Sequence, residues 1–287
     1  MMRIAETEFD PYIRIAPRAT PLPLVCDSPH SGVVYPADFG YAIDAAVLRT
    51  GEDTFVDELW QGIPDVGGTL ILAQFPRTYI DPNREPDDID PALLAEPWPG
   101  MLNPTEKSRL GHGLIWARAG GRPIYDRKLS VQEVSHRIRA YHQPYHAALN
   151  RDIEAAYQWF GAVWHLNLHS MPSDSYEVMQ VRSDRPLADF VLGDRDGTTC
   201  DPEFVAVVEN SLRESGYTVA RNDPFKGVAL IARLGNPSQR RNSLQIEIHR
   251  GQYMNESTFE KNDKFQALQA ALTKAAQDVA LYIQRQL

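Results

Sequence analysis

Residues 163–172 run Val163-Trp164-His165-Leu166-Asn167-Leu168-His169-Ser170-Met171-Pro172. The first six read as a strand: short, mostly apolar, and closed by a turn that carries proline. Side chains alternate along a strand, so His165, Asn167 and His169 share one face while Leu166 and Leu168 share the other. The strand leaves through a histidine, and a run this short and apolar suits a sheet covered by helices. His165 lies deeper than His169 and reads as a core residue.

The same pattern recurs outward along the chain. Further strands are expected at 23–27 (PLVCD), 69–75 (TLILAQF), 188–193 (ADFVLG), 217–221 (YTVAR), 228–233 (VALIAR) and 243–249 (SLQIEIH). Between them lie helix starts. Ser130 with Glu133 and Ser257 with Glu260 fit capping boxes, and Asp201-Pro202 fits an N-cap followed by a first-turn proline. Thr50 and Asp53 open a weaker helix running to about Trp60. The helix from Ser130 must kink or break near Pro144, because proline lacks a backbone donor. A final helix from Ser257 carries an apolar stripe at Phe259, Phe265, Leu268, Leu272, Ala275 and Val279, which would dock on the sheet. Alternating β and α elements predict an α/β three-layer sandwich with a mixed, largely parallel central sheet.

The chain has 287 residues, consistent with one large α/β domain over 1–287 with long loops at about 81–128. The proline- and acid-rich stretch 81–112 reads as a long ordered loop, and such loops tend to be functional. Apolar residues form 43% and charged residues 23%, which excludes a disordered chain. The formal charge of −9 and the lack of a basic run argue against a nucleic-acid partner. No apolar stretch nears the roughly 18 residues that span a bilayer, and the N-terminus lacks an apolar signal core. Two cysteines, Cys26 and Cys200, are too few for a disulfide scaffold. A cytoplasmic protein with a small-molecule partner and no membrane partner is expected.

Ligands in α/β sheets gather at the carboxyl ends of strands. Strand 23–27 exits into Ser28-Pro29-His30, and strand 163–168 exits into His169; together they can supply two nitrogen ligands to one ion. In strand 243–249, Gln245, Glu247 and His249 share a face opposite Leu244, Ile246 and Ile248. An unpaired glutamate there costs several kcal/mol, so Glu247 needs a partner such as Arg250, or a task such as general base near a metal. Arg77-Thr78-Tyr79-Ile80-Asp81-Pro82-Asn83-Arg84 sets two arginines and an asparagine after strand 69–75, suited to capturing a carboxylate. His142 and His146 have metal-pair spacing, but Pro144 lies between them and no Glu-rich signature surrounds them. His112, His136 and His249 read as structural. Glycine-rich phosphate loops and a Gly-x-Ser-x-Gly elbow are both missing.

The segments CDSPHSG, YPADF, GEDTFVDELW, FPRTYIDPNR, GLIWARAGGRPIYDRKLS, PYHAAL, WHLNLHSMP, GDRDGTTC and SLQIEIHRGQYM, taken in order from about Leu24 to Met254, resemble the N-formylglutamate amidohydrolase family. The resemblance implies a zinc-exopeptidase-like (phosphorylase/hydrolase-like) fold. It also implies hydrolysis of N-formyl-L-glutamate to formate and L-glutamate in histidine catabolism. It implies one Zn2+ held by His30, His169 and an acid. Zinc carboxypeptidases place that acid three residues after the first histidine, where this chain has Val33; Asp53 is the choice, with Glu52 and Asp57 as alternatives. Iron or cobalt would fit the same donors. Glu247 falls at the general-base position, and Asn83-Arg84 resembles a pair that holds a substrate carboxylate. Arg77 would take the second carboxylate or polarise the carbonyl, and Arg118 is a further candidate for that carboxylate. Another N-acyl amino acid would suit the same arginines, and a catalytically silent dicarboxylate-binding protein would keep the pocket.

Overall fold

The structure is a computed structural model that describes residues 2–4 and 9–287. Its main sheet has seven strands: β1 (Tyr12–Ile15), β2 (Leu24–Ser28), β3 (Thr69–Ala73), β4 (Val163–Met171), β5 (Phe190–Gly193), β6 (Val219–Arg221) and β7 (Arg241–His249). Their order across the sheet is β6-β5-β7-β4-β2-β3-β1. The helices that matter below are α1 (Val56–Leu59), α2 (Val131–Arg137), α3 (Gln143–Phe160), α4 (Pro202–Glu214), α5 (Ala229–Leu234) and α6 (Phe265–Gln286).

The sheet is mixed and mostly parallel, as expected. β4 runs parallel to both β7 and β2, and β6 parallel to β5, while β5 pairs antiparallel with β7. Register sets His165 opposite Ser243, Asn167 opposite Gln245 and His169 opposite Glu247. On the other side Asp27 pairs with Asn167 and Val25 with His165. Partners in register in a parallel pair project to the same face. One face of β2, β4 and β7 therefore carries Leu24, Cys26, Leu166, Leu168, Leu244, Ile246 and Ile248, all buried. The opposite face carries Asp27, His165, Asn167, His169, Ser243, Gln245 and Glu247, buried as well.

The chain divides into two compact units, each assembled from three separate segments. One comprises Met1–Ile13, Pro29–Thr54 and Leu72–Ala148. Its core is aromatic: Phe39 and Tyr79 meet edge to face at 5.2 Å, as do Phe75 and Tyr141 at 5.4 Å. Arg137 is buried among these rings, its guanidinium 4.2 Å from the Tyr79 ring centre. The other unit comprises Arg14–Ser28, Phe55–Ile71 and Leu149–Leu287. Here α4 packs on α6, which buries Phe265, Leu268, Leu272, Ala275 and Val279, the stripe the sequence predicts.

Several expectations need correction. Residues 228–233 are not a strand: α5 occupies Ala229–Leu234, and the alternation of apolar residues there is too short to separate the two periods. Ser257 and Glu260 form no capping box, because 254–255 and 260–261 pair as a small hairpin and α6 starts at Phe265, leaving Phe259 outside it. The helix expected from Thr50 is confined to α1, since Phe55 at φ 68° takes a left-handed conformation that interrupts it. His169 lies within β4 rather than beyond its end. The Ser130–Glu133 box and the Asp201 cap form as expected. Near Pro144 the helix does break its regular winding, through a π-turn at Ile138–His142.

Candidate active site

In the sheet-bearing unit, the polar face of β4 is a hydrogen-bonded series. His169 Nε2 donates to Asn167 Oδ1 at 2.6 Å, and Asn167 Nδ2 donates to Asp27 Oδ1 at 2.8 Å. That carboxylate oxygen also accepts from His165 Nε2 at 2.9 Å, and Ser243 Oγ meets His165 Nδ1 at 2.7 Å. Asp27, His165, Asn167 and Ser243 are essentially inaccessible, so each buried polar group needs such a partner. An amide that takes the Nε2 proton of His169 leaves Nδ1 for a ligand. On β7, Glu247 Oε1 accepts from Gln245 Nε2 at 2.8 Å, two residues away on the same face.

In the other unit, His30 follows β2 in a tight turn. A Cβ at Gly32 would come within 2.3 Å of Phe75 O, so only glycine lets the turn approach that backbone. Asp53 N donates to His30 O at 3.0 Å, which brings the two residues together, and Asp53 Oδ2 lies 3.3 Å from His30 Nδ1. The opposite ring nitrogen, His30 Nε2, donates to Asp81 Oδ1 at 2.7 Å. A carboxylate behind a histidine fixes the ring's tautomer and makes its other nitrogen a better ligand.

Asp81 also organises the arginines. Arg77 Nη2 and Nε donate to Asp81 Oδ2 at 2.8 and 3.1 Å, Trp116 Nε1 donates to it at 3.2 Å, and Arg84 Nη1 lies 3.9 Å away. Burial pushes this carboxyl up, but Arg77, His30 and Arg84 outweigh it and hold Asp81 well below the usual carboxylate range. Residues 81–84 make a turn in which Arg84 N donates to Asp81 O and Asn83 N to Asp81 Oδ1, with Pro82 at the position proline prefers. Arg84 Nε donates to His112 O and its Nη1 to Asn83 O. Burial lowers the Arg84 pKa, opposed by Asp81. Burial, with Arg77 and Arg84 nearby, brings His112 down to about 4, so it is neutral at pH 7.

Among the described residues, one group of His, Cys, Asp and Glu side chains is placed to hold a metal ion: His30, Asp53 and His169, all buried, with ligand atoms within 4.8 Å of one another. The fit is chemical as well as spatial. Two imidazoles with their Nε2 protons engaged elsewhere and one carboxylate are the donor set of catalytic zinc sites. Of the alternatives to Asp53, Glu52 accepts from Tyr35 Oη, Thr54 Oγ1 and Arg49. Asp57 lies on α1, where burial pushes its pKa to about 6.

The arrangement separates the remaining expected residues. Arg77, Asn83 and Arg84 meet at Asp81, whereas Arg118 is exposed on a short hairpin and donates to Gly121 O. Sequence reasoning missed Asp81. Its signal was present: an aspartate between isoleucine and proline, with arginines four residues before and three after, is placed to be their buried counter-charge. Trp116 carried no such signal.

A buried two-histidine, one-carboxylate group that could hold a metal ion, a glutamate in register with one of those histidines, and a cluster of arginines on Asp81 are the parts of a candidate hydrolase site. The family model for N-formylglutamate amidohydrolase matches residues 22–254. The crystal structure of N-formylglutamate amidohydrolase from Ralstonia eutropha JMP134 is 60% identical, covers 97% of this chain and 100% of its own, and superposes with a TM-score of 0.96. N-formylglutamate deformylases from Pseudomonas putida and Pseudomonas aeruginosa are 27% and 26% identical, each over 82% of this chain and 83% of theirs. The chain belongs to the N-formylglutamate amidohydrolase family, hydrolases that act on an amide bond.

Proposed function

We propose that this chain hydrolyses N-formyl-L-glutamate to formate and L-glutamate, a step of histidine catabolism. The identity of 60% over nearly the whole chain with the Ralstonia eutropha enzyme carries this reading. His30, Asp53 and His169 would hold one zinc ion. When bound, zinc lowers the pKa of a coordinated water towards about 7 and polarises a carbonyl.

The chain's own side chains do the rest. Glu247 takes the proton as a water oxygen bonds to the formyl carbon, and returns it to the amine nitrogen as the C–N bond breaks. Its position opposite His169 in the sheet supports that role. Asn83 and Arg84 bind one substrate carboxylate. Arg77, rigidly held by Asp81, faces the second or the developing oxyanion, and Arg118 is the outlying candidate for that carboxylate.

We propose that residues 1–287 form a single amidohydrolase domain of the zinc-exopeptidase-like, three-layer class, with long loops at about 81–128, a reading the mixed, mostly parallel seven-stranded sheet supports. A cytoplasmic location is supported by two free buried cysteines and by the finding that, among the described residues, no helix is long and apolar enough to cross a membrane. The test is formate release from N-formyl-L-glutamate, with and without chelator, against a panel of N-acetyl and N-carbamoyl amino acids. Chelator-sensitive turnover fastest on the formyl substrate is expected; a faster N-acetyl or N-carbamoyl substrate would overturn the assignment.

A further inference from the structure

The pair His142 and His146 has metal-ligand spacing but lies outside the metal group, and the chemistry above gives it no task. Its contacts suggest one. His142 Nε2 donates to Arg84 O at 3.0 Å, and His146 Nε2 donates to Pro82 O at 2.8 Å. These two carbonyls flank Asn83. A carbonyl only accepts, so each ring must present its Nε2 proton. The two ring centres lie 4.2 Å apart, with the planes tilted by 43°. One helix turn earlier, Arg137 Nη1 donates to Tyr79 O at 3.0 Å. Three side chains of one helical segment thus hold three carbonyls of the 77–84 stretch, at 79, 82 and 84.

The π-turn makes this alignment possible. An α-helix advances about 100° per residue, so positions 137 and 142 would sit roughly 140° apart. In the π-turn the Gln143 N–H reaches Ile138 O, five residues back, which adds a residue to the turn and returns position 142 over position 137. From 142 to 146 the ordinary α spacing of four keeps the face. Regular winding would bring either Arg137 or the two histidines to this stretch, not all three.

We propose that His142 and His146 are positioning residues for substrate: by gripping the carbonyls on either side of Asn83, they aim the Asn83-Arg84 pair at the substrate carboxylate. This rests on the reading of Asn83 and Arg84 as the carboxylate clamp. Neither histidine touches substrate. Each acts by fixing the backbone from which the two clamp side chains project, where small displacements carry large costs in binding.

The experiment compares His142→Gln with His142→Asn, and His146→Gln with His146→Asn. Glutamine carries its amide N–H close to the Nε2 position, whereas asparagine stops near Nδ1 and cannot reach the carbonyl. The asparagine variants should raise KM for N-formyl-L-glutamate about tenfold, with kcat within about threefold and metal content unchanged. The glutamine variants should return to within about threefold of the wild-type KM. In an Arg84→Ala background the asparagine substitutions should add a clearly smaller rise, the part that acts through Asn83 alone, as coupled sites require. Equal KM in asparagine and glutamine variants, a loss confined to kcat, or the same rise with and without Arg84 would overturn the positioning role. An Arg84→Ala enzyme whose own KM is unchanged would instead refute the clamp reading, which separates the two failures.

Discussion

β2, β4 and β7 have two buried faces of opposite character. One carries Leu24, Cys26, Leu166, Leu168, Leu244, Ile246 and Ile248; the other carries Asp27, His165, Asn167, His169, Ser243, Gln245 and Glu247, with Val25 as an apolar member. Both are buried, so exposure does not explain the difference. The apolar face gains free energy by leaving water, at about 25 cal/mol per Å2. The polar face offsets its desolvation by hydrogen bonds, many of them made side chain to side chain. A sheet that needed only to be stable would not carry seven polar groups there. The polar face is therefore where function should be lost without the fold, and the apolar face is where the fold should be lost without function.

Glu247→Gln tests the first half of that contrast most strongly. The amide keeps the shape and can still bond to Gln245, but it cannot accept a proton. We expect kcat to fall by about 100- to 10,000-fold, with metal content and melting temperature near wild type. Steady-state kinetics alongside metal analysis reads both. Substantial activity in this variant would remove Glu247 from the chemistry and leave its burial unexplained.

Ile246→Ala, one residue away and pointing to the other face, should behave in the opposite way. Truncating a fully buried isoleucine costs about 2–5 kcal/mol of stability. Activity per folded molecule should be unchanged, as read by denaturant unfolding and by titration of active sites. Coupled losses of stability and kcat would mean that the two faces are not separable.

Asn167→Ala weakens the polar face without removing any residue proposed to hold the metal. His169 loses the acceptor that fixes its ring, and zinc affinity should fall about 10- to 100-fold, measured by competition with a chelator. Undiminished affinity would show that the strand alone orients His169.

The same contrast explains what was legible in the sequence. Period-two alternation assigned Leu166 and Leu168 to one face and Asn167 and His169 to the other, and likewise sorted Gln245 and Glu247 from their isoleucine neighbours. Those strands are long and their alternation strict, so local pattern and final packing agree. The pattern misled where it was short: 228–233 forms α5 because a few apolar residues suit either period. It misled again at Ser257, where capping chemistry was present but hairpin pairing of 254–255 with 260–261 prevailed. Asp81 went unassigned because its importance comes from His30, 51 residues away, and from Trp116, 35 residues away. The separation of Arg137 from His142 by five residues hid their common face, since nothing in local propensity announces a π-turn.

Ser243→Ala probes how far along the polar face the influence on metal binding extends. Ser243 meets His165, His165 meets Asp27, Asp27 meets Asn167, and Asn167 meets His169. The His165 Nε2 proton goes to the Asp27 carboxylate, so its Nδ1 is the acceptor for the serine hydroxyl. Removing that hydroxyl leaves a buried ring nitrogen without this donor, at a cost of about 1–2 kcal/mol in stability. The ring keeps its bond to Asp27, and Asp27 keeps Asn167. Zinc affinity should therefore change less than about threefold, far below the Asn167→Ala effect. A loss as large as that of Asn167→Ala would mean that the buried bonds act as one polarised unit rather than in graded steps, and that the site reaches across the sheet to β7.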